Sequence, residues 1–102
     1  MLALIDEKRE ELFDLCRRFH VRTLELFGSA ATGEFDPDRS DLDFLVVFDR
    51  PEGTNAFHQY FDMRHGLEDL FDRKIDLVCA NAMRNPYFIK SVNASRRMLY
   101  AA

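Results

Sequence analysis

Three aspartates stand where their side chains could do chemistry. Asp41 and Asp43 lie two apart in the run Asp-Leu-Asp-Phe-Leu-Val-Val-Phe that ends at Phe48, and Asp76 interrupts the apolar stretch Ile75 to Cys79. Side chains two apart on a strand share a face, so Asp41 and Asp43 should point the same way with Cα atoms roughly 7 Å apart. Leu42, Phe44, Val46 and Phe48 then take the opposite face, toward a core. Two carboxylate charges about 5 Å apart repel by roughly 3 kcal/mol at an effective dielectric near 20. A hard divalent cation removes that repulsion, and Mg²⁺ favours one or two carboxylates together with substrate phosphates. A lone charge in an apolar strand is costly unless paired or metal-bound, so Asp76 is the natural third carboxylate if its strand lies beside the first.

Gly28-Ser29 adds the complement of an acidic metal site. The pair closes a strand and opens a short helix, so bare backbone N–H groups, a hydroxyl and the helix dipole could face an anion. Gly33 would let the following loop turn tightly against the same anion, or simply supply a positive φ. Taken singly, each signal has an ordinary reading: a strand end facing water, a common Gly-Ser turn, or an Asp76 ion pair with Lys74 or an arginine. Their order along the chain raises the odds of a shared site. His58 and His65, seven apart on a helix, lack a further zinc ligand and read as surface residues.

The elements that must position these residues follow from periodicity. Residues 2 to 20 read as one amphipathic helix carrying Leu2, Ile5, Leu12, Leu15, Cys16 and Phe19 on its apolar face. Val21 to Phe27 suits a strand, and Asp41 to Phe48 is the strongest one. Between them, Glu34 to Ser40 is rich in turn formers. A second long helix, capped by Thr54 or Asn55, should turn Phe57, Tyr60, Phe61, Leu67, Leu70 and Phe71 inward, with Gly66 costing it about 1 kcal/mol against alanine. The aromatic stripe is therefore expected in the core and not as a platform for bases. Ile75 to Cys79 is a third strand, and Asn85-Pro86 opens a closing helix that runs to about Ser95. Met98-Leu99-Tyr100 is a candidate edge strand. The alternation predicts an α/β or α+β fold, a small mixed sheet with packed helices, in a single domain over 1–102.

Composition narrows the partners. With 102 residues, 47% apolar side chains and ten phenylalanines, the chain can build one compact core. Nothing near its start looks like a signal peptide, no apolar run approaches the roughly 18 residues of a membrane span, and Cys16 and Cys79 read as free buried thiols, so a cytoplasmic protein is expected. The net charge of −4 conceals an acid-free stretch from Ala80 to Ala102 that carries Arg84, Lys90, Arg96 and Arg97. Four cations are too few for stable nucleic-acid binding, but a basic edge could meet an acidic protein.

From Phe27-Gly28-Ser29 to Ser40-Asp41-Leu42-Asp43 the chain resembles the polymerase-beta-like nucleotidyltransferases. Within them it is similar to the minimal nucleotidyltransferases that act as antitoxins beside HEPN-domain toxins. Gly-Ser, a spacer, Asp-x-Asp and a later acid are all present, and the resemblance covers nearly the whole chain. The spacer from Ala30 to Ser40 is eleven residues, one longer than usual, and Ala30, Ala31 and Thr32 stand where many relatives carry arginine. The resemblance implies transfer of AMP from ATP to a hydroxyl. Asp41 and Asp43 would bridge two Mg²⁺ ions, Asp76 would complete the one beside the attacking oxygen, and Gly28, Ser29, Gly33 and Ser40 would hold the nucleotide. Larger relatives carry an extra helical domain for the acceptor, so here the acceptor is expected on another chain. By resemblance that chain is a HEPN toxin with a tyrosine to be adenylylated, in a homo- or hetero-oligomer. The alternatives are a non-catalytic module that neutralises a toxin by covering it, and a half-enzyme acting on a small molecule with a second subunit.

Overall fold

The computed structural model describes residues 2–36, 38 and 41–102, so Ser40 and part of the turn-rich segment before it lie outside the described residues. The N-terminal helix expected over 2–20 is two helices, α1 (Ala3–Glu7) and α2 (Arg9–Arg18), separated at Lys8, whose φ of −110° and ψ of 15° leave the helical region. Lysine is a good helix former. The interruption therefore comes from packing and is not written in the local sequence.

Four strands form one sheet in the order β3-β2-β1-β4, where β1 is Val21–Phe27, β2 Leu42–Phe48, β3 Ile75–Cys79 and β4 Arg97–Ala101. β1 pairs antiparallel with both β2 and β4, while β2 and β3 are parallel, so the sheet is mixed. A parallel pair cannot be joined by a hairpin and needs a crossover. That crossover is α4 (Ala56–Phe71), which Asn55 caps by accepting the His58 amide at 3.1 Å. A single turn, α3 (Ser29–Thr32), follows β1, and α5 (Pro86–Ser95) precedes β4, with the Asn85 side chain accepting from the Tyr87 and Phe88 amides at its start. The edge strand suggested by Met98 to Tyr100 is thus real and lies beside β1.

The main core lies on one sheet face. Leu24, Leu26, Leu42, Phe44 and Val46 point from the sheet toward Ile5, Leu12, Cys16, Met63 and Leu67 of the helices. Residue alternation sends Phe27 and Leu45 to the other face, where Val92 of α5 completes a smaller core. The helices α2 and α4 meet at Gly66, where an added Cβ would come within 2.5 Å of Leu15 Cδ1. The glycine that weakens α4 on its own is what lets α2 approach.

The inward face of α4 matches the expected stripe in part: Leu67 and Phe71 are buried and Tyr60 and Leu70 pack against the core, but Phe57 and Phe61 do not. Its buried spine is Gln59, Met63, Leu67 and Phe71. Phe57 and Phe61 sit two residues ahead of spine positions, some 200° around the helix, and are 67% and 37% exposed. Gln59 is buried because its amide donates to the carbonyls of Phe19 at 2.9 Å and Asp49 at 2.7 Å, tying two turns to the helix. No described helix is long and apolar enough to cross a membrane. Cys16 is buried, which pushes its thiol up to about 12, and Cys79 is half-buried; both are free.

Candidate active site

The acids meet because of register. Asp43 on β2 lies directly beside Asp76 on β3 and directly beside Phe27 on β1, one residue before Gly28. Asp41 precedes β2 by one residue, and Leu42 anchors that entry by donating its amide to the Lys74 carbonyl at 3.3 Å. Asp43 is half-buried and Asp76 exposed.

Crowding is felt at Asp43. Its carboxyl is pushed up to about 6, first by burial and then by the charges of Asp76 and Asp41. Asp41 also faces Lys74, whose ammonium stands 3.8 Å from its carboxylate. The ordinary reading of Asp76, an ion pair with Lys74, is not what forms: Lys74 pairs with Asp41. Among the described residues, no three His, Cys, Asp or Glu side chains converge as placed on a single ion position. The set is aligned along neighbouring strands and not closed into a cage. Its chemistry fits a hard cation: hard oxygen donors only, with a central carboxylate whose ionisation is opposed by its neighbours.

Gly28 covers this acid. Its φ is 73°, and a Cβ there would come within 2.3 Å of Asp43 Oδ2, so both the backbone angle and the close approach require glycine. Its N–H does not face an anion as the sequence suggested. It donates to Ser95 Oγ at 2.9 Å, a buried hydroxyl near the end of α5. Within the single turn of α3 the Ala31 and Thr32 amides donate to the Gly28 carbonyl at 3.1 and 3.2 Å, so only the first amides of the turn could face an anion. Ser29 lies half-buried at that start, and its carbonyl accepts the Thr32 hydroxyl. Gly33, at φ 86°, ends α3 in the left-handed conformation, and nothing lies within 4 Å of where its Cβ would be. It serves the backbone turn.

Sequence reasoning passed over several neighbours of the acids. A cleft of about 340 Å³ along the β3 edge is lined by Asp41, Lys74 and Asp76 together with Tyr60 and Arg64 of α4. The Tyr60 hydroxyl donates to the Leu77 carbonyl at 2.5 Å, fixing the helix to the outer edge of β3. The spacing of Tyr60 and Arg64, one helical turn apart, was visible, but their placement beside Asp76 depends on how α4 docks. Ser95 carried no signal at all, being 67 residues from Gly28.

A mixed four-stranded sheet that sets an Asp-x-Asp strand between a Gly-Ser turn and a parallel strand with one further acid is the nucleotidyltransferase fold. The chain belongs to the nucleotidyltransferase domain family, whose pattern matches residues 9–99. A protein of Methanocaldococcus jannaschii with the provisional name protein adenylyltransferase is 36% identical over 78 residues, which are 76% of this chain and 76% of that one. A solved structure provisionally named a minimal nucleotidyltransferase is 30% identical, covers 94% of this chain and 93% of its own, and superposes with a TM-score of 0.73. The same fold, at 16% identity and a TM-score of 0.65, occurs in a complex of a tri-AMPylated Shewanella oneidensis HEPN toxin with its MNT antitoxin, covering 95% of this chain and 72% of that one.

Proposed function

We propose that this chain is a Mg²⁺-dependent nucleotidyltransferase that moves AMP from ATP onto a hydroxyl, a tyrosine in the first instance, of a partner HEPN toxin, and so acts as its antitoxin. The observation that carries the reading is Asp43, half-buried under Gly28 and flanked by Asp76 on the parallel strand and by Asp41 just before its own. The relatives' names support adenylyl transfer to protein, and the modified toxin in complex with an antitoxin of this fold supports the partner.

In this reading Asp41, Asp43 and Asp76 would hold the Mg²⁺. Bound there, Mg²⁺ supplies positive charge to the phosphate oxygens and lowers the pKa of the acceptor hydroxyl. The amides that open α3, with the Ser29 hydroxyl and the loop through Gly33 and Ser40, hold the β- and γ-phosphates. Gly28, having no Cβ, leaves the Asp43 carboxylate room to face the bound nucleotide. The acceptor oxygen bonds to the α-phosphorus, the bond from that phosphorus to the bridging oxygen breaks, and pyrophosphate departs. Asp76, exposed on the outer strand, is placed to receive the hydroxyl proton.

One observation favours a non-catalytic antitoxin instead: Ala30, Ala31 and Thr32 put no cation on α3 for the phosphates. The same experiment separates the two. Purified protein, α-labelled ATP, Mg²⁺ and a candidate HEPN partner should give label on the partner that is lost with Asp41→Ala. A toxin neutralised equally well by the Asp41→Ala protein, with no label transferred by the native one, would overturn the catalytic reading.

A further inference from the structure

The acids share their sheet face with α5. Phe27, Asp43 and Asp76 stand side by side across β1, β2 and β3, and Asp43 points the same way as Leu45, which packs with Phe27 and Val92 in the smaller core. Phe88, Val92 and Ser95 fall at helical spacing and form one stripe of α5 on this side. Ser95 accepts the Gly28 amide at 2.9 Å, Val92 is buried, and the Phe88 ring meets Phe27 edge to face with centroids 6.0 Å apart. Phe27 is 6% exposed and Phe88 37%, so Phe88 keeps an open surface next to the row that carries the acids. The exposed phenylalanines of α4, Phe57 and Phe61, belong to the helix on the opposite face.

We propose that Phe88 is the platform on which the base of the bound nucleotide stacks, an inference that deepens the transferase reading and rests on it. Asp43 and Phe27 are cross-strand partners, roughly 5 Å apart, and Phe27 in turn touches Phe88. An α-phosphate placed over Asp43 therefore leaves its nucleoside within reach of the ring. From Ser95 back to Phe88 the helix rises about 10 Å, which matches the span of a nucleotide from phosphates held at the Gly-Ser turn to its base. Ser95 fastens α5 to that turn, so the ring and the phosphate site keep a fixed separation. Any base can stack on a phenyl face, but the two fused rings of a purine cover more of it, so the platform favours purine over pyrimidine nucleotides.

The test compares the native protein with Phe88→Leu, which keeps an apolar contact with Phe27 but loses the aromatic face, and with Phe88→Tyr, which keeps both. Binding of Mg·ATP, of Mg·UTP and of magnesium tripolyphosphate, which has no base, is measured by calorimetry, and folding by thermal melting. Phe88→Leu should bind Mg·ATP about tenfold more weakly, the loss of one stacked base, and should no longer prefer ATP to UTP. Its tripolyphosphate affinity and melting should stay native, and Phe88→Tyr should bind ATP as the native protein does. An ATP affinity untouched by Phe88→Leu, or an equal loss for ATP and tripolyphosphate, would overturn the platform while leaving the transferase reading intact. A selective loss of ATP binding in Phe88→Leu, alongside a native protein that binds ATP but transfers no label to a HEPN partner, would overturn transfer and uphold the platform. A native protein that binds neither Mg·ATP nor tripolyphosphate would overturn both.

Discussion

Replacing Asp43 with asparagine should stabilise the metal-free fold while removing its chemistry. Folded Asp43 holds its proton up to about pH 6, against an ordinary value of 3.8, because burial and the charges of Asp76 and Asp41 oppose its ionisation. A group that binds its proton more tightly in the folded chain favours folding when protonated. Its contribution is fully present below about pH 4 and is lost as pH rises through about 6. The two-unit difference corresponds to roughly 3 kcal/mol, and solvent screening of a part-exposed carboxylate reduces that to about 1 kcal/mol. In a chelating buffer at pH 7.5, Asp43→Asn should therefore melt roughly 4–8 °C above the native protein. At pH 3.5 the two should coincide, since neither then carries a charge at position 43. Mg²⁺ at ten times its dissociation constant should return about 1.4 kcal/mol to the native protein and little to the variant. Equal melting at pH 7.5, or a gap that persists unchanged at pH 3.5, would refute the claim that repulsion and burial act on this carboxylate.

Two glycine substitutions probe the geometry around it. Gly28→Ala must strain a left-handed backbone and drive a methyl into the Asp43 carboxylate, so a loss of at least 2 kcal/mol in urea unfolding and at least 100-fold in AMP transfer is expected. Gly66→Ala gains about 1 kcal/mol of helix propensity but overpacks Leu15, so the net effect should be a destabilisation of about 1 kcal/mol, and Leu15→Ala in the same chain should relieve the overpacking component.

What could be read from the sequence was whatever alternation or a local cap encodes. β2 announces itself because Asp43 and the apolar Leu42, Phe44 and Val46 fall on opposite faces, and Asn55 and Asn85 mark their helix starts by side-chain chemistry alone. The inward face of α4 was legible at Leu67 and Phe71 but misplaced in its first turns, where hydrophobicity pointed to Phe57 and Phe61 and the buried position is Gln59, held there by two carbonyls distant in sequence. The break at Lys8 and the pairing of β4 with β1 likewise depend on what lies across the core. In the site, the acids and Gly28 could be named because their types are unusual where they stand. Ser95, Tyr60 and Arg64 could not, since ordinary residues acquire a role there only through docking of α5 and α4.

The hydrogen bond from the Gly28 amide to Ser95 joins the Gly-Ser turn to a residue 67 positions later in the chain. A chain emerging from the ribosome exposes its acids and its Gly-Ser turn long before residue 95, but the turn stays unfastened until α5 arrives to clasp it. A chain that ends before α5 should thus lack that clasp.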